Sequence, residues 1–290
     1  MRIQTYVAPR SLEHAVDVLH GGEAIPLAGG TDIIPQTMTG RAVPTVVDVK
    51  HLAELNGIDR DGGVWLIGAA VACFRLGEHQ ELAAALPGLV EGASLIGSTQ
   101  IQGRATLGGN VGNASPAADT VPALLANQAK VEIAGPDGTR KAPISELIIG
   151  PGVTQLAAGE LILRFVVPTL AGAAEAALRF TPRTEMDIAV ANAAVRIALD
   201  GNGTCTTADV AIGGVGPRAV IVNDAGAALV GTRALDDGVL TAVAETCRAA
   251  AEPIDDKRGT ADYRRHAIGV LATRAVRIAW QRAAARREER

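Results

Sequence analysis

The segment Thr106-Leu107-Gly108-Gly109-Asn110-Val111-Gly112-Asn113-Ala114-Ser115-Pro116-Ala117-Ala118-Asp119 constrains this chain more than any other. Fourteen residues hold three glycines, two asparagines, a serine and an aspartate. A packed core has no use for that mixture. Glycine lets backbone come close to a flat ligand, while Asn, Ser and Asp offer directed hydrogen bonds. A long surface loop could share the composition. Val111, Pro116 and the following Val-Pro-Ala-Leu-Leu-Ala instead predict a loop folded against the core, and polar convergence on such a loop marks binding more often than packing. A shorter segment, Leu27-Ala28-Gly29-Gly30-Thr31-Asp32-Ile33-Ile34-Pro35, ends a strand in two glycines. Successive unhindered amides at such a turn make an anion-binding nest suited to a pyrophosphate. A plain strand-to-helix turn is the alternative reading.

Composition excludes several function classes. Aromatic residues are 2% of the chain, too few for base-stacking platforms, and the net charge of −4 argues against general affinity for nucleic acid. No apolar run approaches the roughly 18 residues of a membrane span. The N-terminal stretch lacks the apolar region of a secretory signal, so a cytoplasmic chain is expected. Three widely separated cysteines suit a reducing compartment, and their spacing predicts no metal or iron–sulfur site. The five histidines show no metal-ligand spacing either. At 290 residues the chain has room for one large domain or two ordinary ones.

Periodicity predicts a helix over 11–20 behind a Ser11 N-cap, with Leu12, Ala15, Val16 and Leu19 on one face. Strands are expected at 24–28, running into the Gly29-Gly30 pair, and at 45–52, 64–71 and 160–168, with two more around the Pro136-Asp137-Gly138 turn. A helical stretch interrupted at Pro87 leads into the glycine-rich segment. Residues 170–178 read as a small-residue connector and a domain boundary. A hairpin follows around Asp200-Gly201-Asn202-Gly203, then helices from Val239 onward. The last helix has an apolar face at Ile268, Leu271, Ala275 and Ile278, with arginines opposite, and its terminal Arg-Arg-Glu-Glu-Arg reads as a solvated end.

Three motif matches carry no function. Gly214-x-Gly216-x-x-Ala219 fits a dinucleotide fingerprint, but no helix follows at once as that motif requires. The two Asn-x-Ser/Thr sites, Asn113 and Asn202, would not be glycosylated in the cytoplasm. No phosphate-binding P-loop is present.

The two glycine segments, in this order and at this separation, resemble the FAD-binding medium subunit of the molybdenum hydroxylases, the xanthine dehydrogenase and carbon monoxide dehydrogenase family. Gly150-Pro-Gly-Val-Thr154, Arg183-Thr-Glu-Met-Asp187-Ile-Ala189 and Ala261-Asp-Tyr263-Arg264-Arg265 agree, so the similarity runs from about residue 3 to 285. The resemblance implies an α+β chain. Residues 1–175 would form a two-lobed FAD-binding domain of the vanillyl-alcohol-oxidase (PCMH) type, and 176–290 a small α+β C-terminal domain. It implies cofactor contacts at Leu27, Ala28, Gly29, Gly30, Thr31, Asp32, Ile96, Thr106, Leu107, Gly108, Gly109, Asn110, Ser115, Asp119, Leu156 and Arg179. The amides of Ala28 to Asp32 would cradle the pyrophosphate. Asp119, just ahead of an apolar helix start, could instead be an N-cap. Ile148 and Ile149 stand where many relatives carry aromatic residues. The cysteines of the 4-hydroxybenzoyl-CoA reductase branch are missing.

The function implied is a flavoprotein subunit with no catalytic acid, base, nucleophile or metal of its own. Electrons would leave a molybdenum cofactor on a large subunit, pass [2Fe–2S] clusters on a small one, and reach an external acceptor through FAD here. The assembly implied is a dimer of heterotrimers. An FAD-less scaffold or regulator of the same fold is one alternative. A stand-alone flavin oxidase is another, but the Ala-rich C-terminal part offers little from which to build a substrate cavity.

Overall fold

The computed structural model describes residues 3–288. The chain opens with β1 (Ile3–Val7), α1 (Leu12–His20), β2 (Ala24–Leu27), α2 (Ile33–Met38) and β3 (Val43–Asp48). Both β1 and β2 pair with β3 in parallel, giving the order β1-β3-β2. The Ser11 hydroxyl accepts the amide of His14 at 3.2 Å and starts α1, which buries Ala15, Val16 and Leu19. Within this small lobe the strand-to-helix turn between β2 and α2, Ala28–Asp32, faces the second lobe.

The second lobe contains β4 (Ile58–Asp61), β5 (Val64–Gly68), α3 (Cys73–Glu78), α4 (Gln80–Ala85), α5 (Pro87–Ser94), α6 (Thr99–Gln102), α7 (Leu107–Gly112) and α8 (Val121–Ala126). It continues through β6 (Lys130–Gly135), β7 (Gly138–Pro143), α9 (Ile144–Leu147), β8 (Ile148–Gly150), β9 (Val153–Thr154) and β10 (Leu161–Pro168). Its five-stranded antiparallel sheet runs β4-β5-β10-β6-β7. Trp65, Ile67, Ile133 and Phe165 form the centre of the core beneath it. The glycine-rich segment expected as a loop is partly helical: Thr106 caps α7, and only 113–120 is irregular.

The remainder is β11 (Ala173–Phe180), β12 (Ala191–Leu199), β13 (Cys205–Gly213), β14 (Val220–Ile221), α10 (Asn223–Leu229), α11 (Asp237–Ala249) and α12 (Ala261–Glu288). The four strands form an antiparallel meander in chain order. β14 is antiparallel to β13, so the Gly214–Ala219 loop opens no parallel dinucleotide-binding unit.

The reading of 170–178 as a connector is overturned, because most of that stretch belongs to strand β11. Its alanines are small because the sheet is covered on both faces. Ala177, Ala194 and Ala211, aligned across three strands, join the core of the second lobe, whereas Ala176, Val195 and Ile212 join the C-terminal core. Every residue of β12 is buried. Small side chains on the inner face let α5 and α8 approach it closely.

Three arginines of α12 also depart from expectation, whereas Arg274 and Arg277 are exposed as expected. Arg264 is buried and donates to the Val190 carbonyl at 2.8 Å, while Arg282 pairs with Glu91 on α5 at 2.5 Å. Arg286 donates to the carbonyls of Ala173 and Ala84. These three arginines fasten α12 to the preceding chain instead of facing solvent.

Candidate cofactor site

A cavity of about 370 Å³ lies between the two lobes. That size falls within the ordinary range for small-molecule sites. One wall is Ala24–Pro26, Ala28–Ile33 and Arg41; the facing wall is Ala69, Ala70, Ala105, Thr106, Gly108, Gly109, Asn110, Gly112 and Asn113. Ile96, Leu156, Leu161 and Ile162 contribute apolar surface. Both glycine segments therefore border one space.

Packing explains how they meet. A Cβ on Gly29 would overlap the Arg104 carbonyl oxygen, and one on Gly108 would lie 2.6 Å from the Ala69 carbonyl oxygen. Backbone rests directly on backbone at both points, which only glycine permits. Gly30 then turns the chain with φ +76° into α2. Gly112 differs, because a Cβ there would meet nothing within 4 Å.

The two segments offer different chemistry. The amides of Ala28, Gly29, Gly30, Thr31 and Asp32 donate to no acceptor among the described residues. Five successive free donors on a cavity wall are an anion cradle. In the second segment the amides are engaged. Gly108 donates to the Ala69 carbonyl at 3.0 Å, Asn110 to the Thr106 carbonyl at 2.9 Å, and Gly109 to the Thr106 hydroxyl at 2.9 Å. The Asn110 carboxamide oxygen accepts from the Thr120 hydroxyl at 2.6 Å. This segment supplies a rigid, shaped surface more than free donors.

Of the residues implied by the resemblance, Ala28, Gly29, Gly30, Thr31, Asp32, Ile96, Thr106, Gly108, Gly109, Asn110 and Leu156 line the cavity. Leu27 and Leu107 are buried beside it in the core. Ser115 accepts from the amide of Ala117 at 3.3 Å. Asp119 and Arg179 form an ion pair at 2.9 Å away from the cavity lining, with the second Asp119 oxygen buried and unpaired. Asp119 is not a cap: α8 follows Thr120 and has no side-chain cap bond. Burial pushes the Asp119 carboxyl up to about 6, although Arg179 pulls it down. Burial also raises Asp32. Cys73 is pushed up to about 12 by burial and is inert as a thiolate. Ile148 and Ile149 do not line the cavity; Ile149 is half exposed at its outer hairpin.

Sequence reading missed Arg41 and the small residues Ala69, Ala70 and Ala105; Asn113 was part of the glycine-rich segment but was given no separate role. Arg41 lies in a polar turn after α2, and only its chain distance from the Gly29-Gly30 pair could have drawn notice. The donor set fits a diphosphate-bearing dinucleotide: free amides and one arginine for the diphosphate, apolar surface for a flat ring. Among the described residues no helix is long and apolar enough to cross a membrane, and no group of three or more His, Cys, Asp or Glu could hold a metal.

Comparison with known proteins places this geometry. Residues 1–170 match the family described as the FAD binding domain in molybdopterin dehydrogenase, and 176–279 match the CO dehydrogenase flavoprotein C-terminal domain. The carbon monoxide dehydrogenase medium chain of Afipia carboxidovorans is 34% identical, covering 96% of this chain and 97% of that protein. A solved carbon monoxide dehydrogenase from Hydrogenophaga pseudoflava superimposes with a TM-score of 0.92 at 32% identity, covering 97% of this chain and 98% of that one. Quinoline 2-oxidoreductase from Pseudomonas putida 86 does so with a TM-score of 0.90 at 28% identity, covering 96% and 97%. With both glycine segments on one cavity and both halves matched, the chain belongs to the FAD-binding medium-subunit family of the molybdenum hydroxylases.

Proposed function

We propose that this chain holds one FAD non-covalently between its lobes and relays electrons inside a larger oxidoreductase. The carrying observation is the run of five free amides from Ala28 to Asp32 on a cavity wall shared with Gly108, Gly109 and Gly112. FAD, when bound, supplies the exchange between one-electron and two-electron carriers. The amides of the first segment hold the diphosphate, and Ile96 and Leu156 give the ring apolar contact while excluding water. Leu27 and Leu107 fix these segments from below, and Thr106 and Asn110 keep the second wall rigid. Ser115, Asp119 and Arg179 orient the loop behind it. No cysteine or histidine lines the cavity among the described residues, which supports non-covalent attachment.

The proposed units are 1–175 for FAD and 176–290 for the C-terminal domain. Partners are a large molybdopterin-binding subunit and a small [2Fe–2S] subunit, arranged as a dimer of heterotrimers that passes electrons to an external acceptor. The names of relatives as medium chains support membership of a multi-subunit complex. Three buried free cysteines support a cytoplasmic setting.

The test is the absorbance spectrum of the purified chain followed by acid precipitation. Flavin bands and a yellow supernatant are expected. A colourless protein that takes up no added FAD would overturn the reading, and colour kept in the pellet would overturn non-covalent attachment.

A further inference from the structure

We infer that Arg41 is the charged partner of the cofactor's diphosphate and that Gln36 positions it; the inference rests on the FAD reading above. Free amides give an anion directed dipoles but no net positive charge. The cavity wall carries three charged side chains, Asp32, Arg41 and Glu160. Glu160 is paired with Arg140 at 2.5 Å. Arg41 forms no ion pair among the described residues and is the one cation on that wall. It borders the same space as the amide cradle.

Its placement is built rather than incidental. The amide of Arg41 donates to the Gln36 carbonyl at 3.0 Å, and its guanidinium donates to the Gln36 side-chain oxygen. The Gln36 side-chain nitrogen in turn donates to the Asn113 oxygen at 3.1 Å. Asn113 follows α7 and lines the facing wall. The relay Arg41–Gln36–Asn113 thus spans the two lobes at the cavity edge. It engages part of the guanidinium and leaves other N–H groups for an anion. Arginine suits that task because its fork matches phosphate oxygens and its charge does not titrate. Neither residue belongs to a glycine segment, so motif reading passes over both.

The experiment titrates the full-length apo-protein with FAD and with riboflavin, which has the same ring and no phosphate. Arg41→Gln is expected to weaken FAD binding roughly ten- to hundredfold, as loss of a charge-assisted contact does. Riboflavin affinity should stay unchanged, and the salt dependence of FAD binding should flatten. Arg41→Lys should restore most of the loss. Gln36→Leu should weaken FAD binding by a smaller factor and leave the salt dependence in place. Arg41 is exposed, so an unchanged apo-protein melting temperature should accompany these effects. Unaltered FAD affinity in Arg41→Gln would overturn the role of Arg41, as would an equal loss for riboflavin. If the unaltered chain bound no FAD, the functional reading itself would fall, a result distinct from both.

Discussion

Gly29 and Gly112 border the same cavity for opposite reasons. A methyl on Gly29 would overlap the Arg104 backbone, and backbone cannot swing aside. Gly29→Ala is therefore expected to cost about 1–3 kcal/mol of stability, the range for overpacking, and to lower the melting temperature of the apo-protein. A Cβ on Gly112 meets no protein atom within 4 Å, and Gly112 lines the cavity in which a ligand would sit. Gly112→Leu should leave the apo-protein as stable or slightly more so, since leucine favours helix by under about 1 kcal/mol. FAD affinity should nevertheless fall at least tenfold. Isothermal titration and differential scanning calorimetry separate the two outcomes, and equal behaviour of the variants would contradict the assignment of the wall. The glycines were legible in sequence because no core needs them in such clusters. Arg41 and Gln36 were not, because their partners become neighbours only when the lobes fold together. Asp119 was legible as important but not as an ion-pair partner, since Arg179 lies on a strand sixty positions away.

The seam between α5 and β11 joins two elements through two acids, Glu175 buried and Glu91 partly exposed. Glu175 accepts from the amide of Leu89 at 3.3 Å, and Glu91 accepts from the amide of Ala177 at 2.8 Å. Burial pushes Glu175 up from 4.5 to about 7, against the pull of Arg196 and Arg286. The native state thus holds this proton more tightly than the unfolded chain. Stability from the group is full below about pH 4.5 and is lost as pH rises to about 7. The melting temperature should fall across that window in the unaltered chain. In Glu175→Gln, which keeps an acceptor for Leu89, the fall should be smaller; an identical slope would show that Glu175 does not titrate there. Most elements could be read beforehand from period and turn chemistry, as for α1 behind Ser11 and the hairpin between β6 and β7. β11 could not. Its run of alanines carries no alternation of apolar and polar residues, because two cores cover its faces. The apolar stripe of α12 was seen, whereas the carbonyl partners of its arginines come from elements up to 202 positions away.

At the scale of the whole molecule, one ligand closes a space between two lobes, so binding and folding are linked. FAD at a hundred times its dissociation constant should add about 2.7 kcal/mol. Thermal scans should then show a rise of roughly 4–5 °C. A shift absent despite bound colour would mean that the cofactor holds no folded structure together. The cavity has no room assigned to a second reactant, so the chain alone should not oxidise N-heterocycles, aldehydes or purines with artificial acceptors, and turnover should appear only with partner subunits. Turnover by the isolated chain at the rate of the complex would refute this. The covered edge of β11 has its own consequence, for modularity. Freed from α5, the C-terminal half would leave the Ala177 amide of edge strand β11 without its Glu91 acceptor, beside an uncovered alanine-lined face, a partial template for pairing with copies of itself. Residues 171–290 produced alone should sediment as β-rich aggregate, and co-production with 1–170 should keep them in solution. The two family segments are therefore separable as text but not as material: a graft that moves one without the other exposes the surface that each evolved to hide.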